Sequence, residues 1–158
     1  LRIGEARKVK WRDVDFSELV KDGVTKKYIR VSVSSNTKTG SREAIGRYTA
    51  YRALERLRAS RQDNVGDDDF VFCRKDGSAI QQMNDIFNAV IREADVEFDT
   101  DGNKYTVYCL RHTFITFRLR FMKNVDVNAL AKSAGTKIEM IENYYDDTTS
   151  EDYVEKLI

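Results

Sequence analysis

Proline does not occur in this 158-residue chain, and histidine occurs once. Without proline no helix is interrupted by a missing N–H or a clashing ring, so helical patterns can be followed without breaks. A lone histidine excludes a metal centre built on several imidazoles. The two cysteines, Cys73 and Cys109, lack the spacing of metal ligands. They read as free thiols in a reducing cytoplasm. No apolar run approaches the roughly 18 residues that a membrane-spanning helix needs, and no signal peptide is visible.

What is present fits an ordinary soluble domain, with 41% hydrophobic and 34% charged residues. The length suits one domain over residues 1–158, large enough to bury a core. A net charge of +1 conceals a division: residues 1–62 hold 16 Lys/Arg against 7 Asp/Glu, and the remainder holds 11 against 19. A binder of nucleic acid can carry its positive field on one face in this way, and so can an ordinary enzyme. The chain opens on Leu1, already inside a helical pattern with no capping residue before it. It is expected to be a piece of a longer protein.

Residues 1–10 read as the end of a helix. Trp11 to Phe16 alternates apolar and polar residues as a half-buried strand does, and so does Tyr28 to Val33, with a turn at Lys21-Asp22-Gly23 between them. A hairpin-like loop from Ser34 to Ser41 holds Lys38 and leads to a short strand around Glu43-Ala44-Ile45. Helices are expected over Tyr48 to Arg61, and from Ala79 to about Ala94 behind a Ser78 cap. On the second of these, Ile80, Met83, Ile86, Phe87, Val90 and Ile91 form the inward side. A polar loop over 95–104 precedes a central helix from about Val107 to Met122. Its apolar stripe is Leu110, Phe114, Phe117 and Phe121. Short helices follow from Asp126, closed by Gly135, then over Lys137 to Tyr145 and Ser150 to Ile158. The fold class is α+β, mainly α, with a small three-stranded antiparallel sheet.

Arg111 stands in the first turns of the central helix beside His112, with no acidic residue within a turn. A guanidinium in an apolar setting needs a partner. That partner is either a distant carboxylate or an anion from outside, such as a phosphate. Arg2, Lys38, Arg111 and the tyrosine pair Tyr144-Tyr145 together suit attack on a phosphodiester. Cations neutralise a pentavalent phosphorus transition state and lower the pKa of a tyrosine from about 10.

The order and wording of these segments resemble the catalytic domain of the tyrosine recombinases, the phage-integrase family. Leu1-Arg2-Ile3-Gly4-Glu5-Ala6 resembles the family's first arginine box, and Lys38 in Thr-Lys-Thr-Gly its hairpin lysine. Tyr108-Cys109-Leu110-Arg111-His112-Thr113-Phe114 resembles the second box, usually His-x-x-Arg followed by His-Thr. Ala134-Gly135-Thr136 falls where the family usually has Gly-His, and Tyr145 follows Thr136 at the spacing of the nucleophile. Tyr108 and Thr136 thus stand where histidines are commonest, as in a branch of phage and genomic-island integrases. Five boxes in register across nearly the whole chain are far more specific than any one.

The resemblance implies site-specific DNA recombination, the integration or excision of a phage or genomic island. Tyr145 would cut the strand through a 3′-phosphotyrosyl link and release a 5′-hydroxyl. Arg2 and Arg111 would clamp the non-bridging oxygens, and Lys38 would protonate the leaving oxygen. Tyr108 and Thr136 would donate hydrogen bonds to the phosphate. Glu5 would orient Arg2, and His112 would support the site by packing or hydrogen bonding. Tyr144 is the alternative nucleophile, though Tyr145 fits the spacing better; otherwise its ring would pack beneath the site. No metal or other cofactor is implied, because the covalent link stores the bond for rejoining. The implied partners are double-stranded DNA attachment sites, a homo-tetramer on DNA in the full-length protein, and accessory DNA-bending proteins, all in the bacterial cytoplasm. The N-terminal domain that clasps the other face of DNA is absent from 1–158, so weak DNA affinity and little recombination are expected of this piece alone. The final segment, with Tyr153, Val154, Leu157 and Ile158, would pack in cis or on a neighbouring protomer.

Two rivals remain at this point. One is a non-catalytic DNA-binding module, since Asn128 to Tyr145 reads like a helix-turn-helix with Gly135 in the turn. Its second helix carries Glu139 and Glu142 and runs into Asp146-Asp147, which DNA would repel. The other is a degenerate recombinase scaffold, against which the joint presence of Arg2, Lys38, Arg111 and Tyr145 speaks.

Overall fold

The computed structural model describes residues 1–34, 40–61, 65–122 and 125–145, with side chains through 143. Lys38, the side chains of Tyr144 and Tyr145, and the expected helix over 150–158 lie outside the described residues. The chain divides into two compact units, Leu1–Met83 and Asn84–Ile158.

The first unit opens with a single helical turn, α1 (Ile3–Ala6), and a 3-10 turn over Trp11–Asp13. Strands β1 (Val14–Lys21), β2 (Val24–Val33) and β3 (Arg42–Gly46) form an antiparallel sheet in the order β1-β2-β3. β1 therefore starts at Val14, later than expected. Trp11 is taken into the 3-10 turn, and its ring is buried in the core. The hairpin between β1 and β2 turns at Asp22-Gly23, both at positive φ (52° and 74°). Such a two-residue turn matches the right-handed twist of the strands it joins.

One face of the sheet carries Ile29, Val31, Val33 and Ala44, which with Val9, Trp11 and Val71 make the core of this unit. Helix α2 (Tyr48–Ser60) covers that face, with Phe16 meeting Tyr51 edge-on at 5.1 Å. The helix approaches closely because Gly46 ends β3. A Cβ there would lie 2.5 Å from Ile29 Cγ1 and 2.9 Å from the Ala50 Cβ.

In the second unit α3 runs over Met83–Glu93, shorter than the expected span from Ala79. Ser78 caps no helix; it closes a tight turn by donating its N–H and hydroxyl to Asp76. Ile91 is buried on α3, whereas Ile86 and Val90 are exposed. α4 (Cys109–Phe121), α5 (Val127–Ala134) and α6 (Ile138–Tyr145) pack together around Ile115, Leu130, Ala131, Ala134 and Ile141. Burying a side chain the size of Ile115 or Ile141 contributes about 1.5–3 kcal/mol. Asp126 caps α5, its carboxylate accepting the Ala129 N–H at 3.0 Å. Gly135 ends α5 in the left-handed region, φ 69° and ψ 49°.

The central helix is rotated from its expected setting. Leu110, Phe117 and Phe121 are 57%, 58% and 70% exposed, and Phe114 lies at the border of exposure. Inward instead are Arg111, 8% exposed, and Ile115, fully buried one turn later, with Leu119 partly buried after that. Adjacent residues on a helix point about 100° apart, so two neighbouring stripes compete for the interior. The stripe that wins holds an arginine.

The expected class, mainly helical with a three-stranded antiparallel sheet, is what the structure has.

Candidate active site

In the second unit the site is built on Arg111. Its position on the inward stripe of α4 aims the guanidinium at the end of α5. There one terminal nitrogen donates to the Ala134 carbonyl at 2.5 Å and the other to the Gly135 carbonyl at 3.3 Å. These carbonyls are exposed by the helix ending itself. Gly135 in the left-handed conformation turns the chain so that its N–H and that of Thr136 bond back to Lys132 and Ala131. The final carbonyls then point outward at the negative end of the helix dipole. Of the partners expected for Arg111, a carboxylate is not the one that fills these positions. Carbonyls are neutral, so the guanidinium keeps its full charge, and only part of its five-donor fork is engaged.

Thr136 follows Gly135 directly, so the contact between Arg111 and α5 brings the Thr136 backbone beside the arginine. Tyr108 is the residue before α4 and is exposed. Its ring meets the His112 ring edge-on at 5.0 Å, one helical turn away. Tyr145 is the last residue of α6, four residues beyond the buried Ile141.

In the first unit Arg2 stands immediately before α1, and Glu5 lies in that turn. The Glu5 carboxylate accepts the Arg2 backbone N–H at 2.7 Å, which caps the helix. The Arg2 guanidinium reaches Glu5 only at 4.0 Å. The principal partner of Glu5 is Arg42, a residue that the sequence reading did not single out. Arg42 binds both carboxylate oxygens, at 3.0 and 2.7 Å, and the two side chains are 9% and 5% exposed. Burial pushes the Glu5 carboxyl up. The hydrogen bonds from Arg42 and from the Arg2 N–H outweigh it and hold the group below the usual glutamate value. A signal for Arg42 did exist in the alternation of β3. Arg42 shares its side of the strand with buried Ala44 and pairs with buried Val33. An inward arginine demands acceptors for its N–H groups, from a carboxylate or from carbonyls.

Among the described residues no group of three or more His, Cys, Asp or Glu is placed to hold a metal ion, and no helix is long and apolar enough to cross a membrane.

A family model described as "Phage integrase family" matches residues 1–151. No curated protein sequence matches the chain. Among solved structures, the XerA recombinase is similar with a TM-score of 0.69 at 21% identity, over 98% of this chain and 51% of that one. The Tn1549 transposon integrase, solved in complex with circular intermediate DNA, is similar with a TM-score of 0.65 at 22% identity, over 100% of this chain and 53% of that one. The chain therefore spans about half the length of either, and at these identities the likeness is one of fold.

Proposed function

The chain belongs to the phage integrase family, and from that premise we propose that residues 1–158 are the catalytic part of a tyrosine recombinase that cuts and rejoins DNA at specific sites. The observation that carries this reading is Arg111, a buried guanidinium held by two neutral carbonyls rather than by a carboxylate. A charge kept at the cost of desolvation and not cancelled internally is suited to an anion that arrives with the substrate.

Tyr145 attacks the scissile phosphorus. The phenol passes its proton to solvent water as its oxygen bonds to phosphorus, the P–O5′ bond breaks, and a 3′-phosphotyrosyl link and a 5′-hydroxyl result. Arg2 and Arg111 hold the non-bridging oxygens as charge grows on them. Lys38 gives its proton to the leaving 5′ oxygen. Tyr108 and Thr136 donate hydrogen bonds to the phosphate, where the family's histidines usually stand. Glu5 supports Arg2, and His112 supports the Tyr108 ring that it touches. The covalent link conserves the energy of the broken bond, so rejoining needs no nucleotide or metal.

The substrate is a double-stranded attachment site, bound in the cytoplasm by a homo-tetramer of the full-length protein with accessory DNA-bending proteins. A helix-turn-helix reader is disfavoured, because α6 presents the exposed Glu139 and Glu142, which phosphates would repel.

The test is covalent capture by the full-length protein on a nicked attachment-site substrate. A protein–DNA adduct that survives denaturation is expected, retained in Tyr144→Phe and lost in Tyr145→Phe. Tight, salt-sensitive DNA binding with no adduct from the wild type would refute the catalytic reading.

A further inference from the structure

The closed pair formed by Glu5 and Arg42 goes beyond what the reaction itself requires. Arg42 is the first residue of β3, four positions after Lys38. It reaches into the interior and takes both oxygens of Glu5, and Glu5 in turn holds the backbone N–H of Arg2. Two links, the paired bonds between Arg42 and Glu5 and the single bond from the Arg2 N–H, thus run from the start of β3 to the residue from which the Arg2 side chain projects. Stability alone does not ask for this arrangement. Two apolar side chains of similar volume would fill the space as well or better, without the desolvation of two charges. What a fork-to-fork pair supplies, and an apolar contact does not, is a fixed direction. With Arg42 occupying the carboxylate, the Arg2 guanidinium stays at 4.0 Å from Glu5 instead of folding onto it.

We infer that Arg42 is a positioning residue for Arg2: acting through Glu5, it fixes the start of α1 against the start of β3. This rests on the recombinase reading and deepens it. Arg42 touches no reacting atom.

The experiment replaces the pair by apolar residues of similar volume, Glu5→Leu with Arg42→Met, in the full-length protein. It compares cleavage of two nicked substrates, one with an ordinary scissile phosphate and one with a methylphosphonate there. The methylphosphonate lacks the anionic oxygen that Arg2 would hold. The expected result is a melting temperature close to wild type with cleavage of the ordinary substrate about 10- to 100-fold slower, the scale of a small misplacement of a catalytic group. On the methylphosphonate the deficit shrinks to less than about threefold, because the misplaced charge no longer matters. Arg42→Lys keeps the charge but loses the fork, and it serves as the second variant if the apolar pair does not fold; it carries a deficit of the same substrate dependence.

A pair variant that cleaves at the wild-type rate, or variants equally slow on both substrates, would show that Arg42 only supports the fold. Those results leave the recombinase reading intact. A wild type that forms no adduct on either substrate removes that reading and this inference with it.

Discussion

Each unit of the molecule draws an arginine inward, Arg42 part-buried and Arg111 buried, and the two are held in opposite ways. Arg42 in the first unit meets a carboxylate on both sides of its fork, and its charge is cancelled where it lies. Arg111 in the second meets two backbone carbonyls at the end of α5, which orient it without neutralising it. The first kind of partner uses up a guanidinium; the second holds it in place and leaves its charge for something else. Burial alone therefore does not mark a functional arginine. The chemistry of its partner separates an arginine whose charge is cancelled inside the fold from one whose charge is not.

Four predictions can break or sharpen this contrast. The largest effect is expected from Arg42→Ala, which leaves the Glu5 carboxylate buried without its main partner. Such a change should cost about 3–5 kcal/mol, seen as a lower urea midpoint with an unchanged m-value. If stability barely moves, the pair is not the closed unit described here.

Next comes Arg111→Lys, which keeps the charge but cannot span both carbonyls. Cleavage by the full-length protein should fall about 10²–10³-fold, with a smaller change in melting temperature than Arg42→Ala gives. A variant that cuts normally would show that the geometry of the fork at α5 is irrelevant.

Smaller again is Gly135→Ala, where a side chain must adopt φ 69°. The expected cost is about 1–2 kcal/mol, accompanied by slower cleavage because the carbonyls that aim Arg111 move with the turn. Normal cleavage at reduced stability would separate the helix end from the arginine.

The smallest effect is in acid. The Glu5 carboxyl lies below its ordinary value in the folded chain, so its contribution to stability is complete above the unfolded glutamate pKa of about 4.3. It is lost as the pH falls through the lower folded value. Urea midpoints between pH 5 and pH 2 should drop less steeply in Glu5→Leu/Arg42→Met than in the wild type. Equal slopes would mean that Glu5 is not held as the structure has it. Arg111 has no titrating partner among its hydrogen bonds, and Arg111→Lys should leave the slope unchanged.

Much of this architecture was legible beforehand because it depends on neighbours in sequence. Asp22-Gly23 makes its turn, Asp126 caps α5, and Gly135 ends it, each through backbone preferences that act over one to four residues. β1 starts only at Val14 because Trp11 lies three positions before it, an odd offset that breaks the period of two, and its ring enters the core from a 3-10 turn. The start of α3 was misplaced because Ser78 had a nearer use, closing a turn with Asp76. The order of the boxes identified the family without any structure, since a family resemblance is a property of the sequence itself.

The sequence by itself determined most of the described helices, the three strands and the turns at Asp22-Gly23 and Gly135, because local hydrogen bonding and apolar spacing specify them, and the order of its motifs determined the family. It could not decide which face of α4 turns inward, since the aromatic stripe through Phe114 and the stripe through Arg111 and Ile115 differ by a single residue step. Nor could it join Arg42 to Glu5 across 37 positions, or Arg111 to Ala134 across 23. Those choices were made by tertiary structure. A guanidinium drawn into the interior needs acceptors, and here they are supplied by elements far away in the chain.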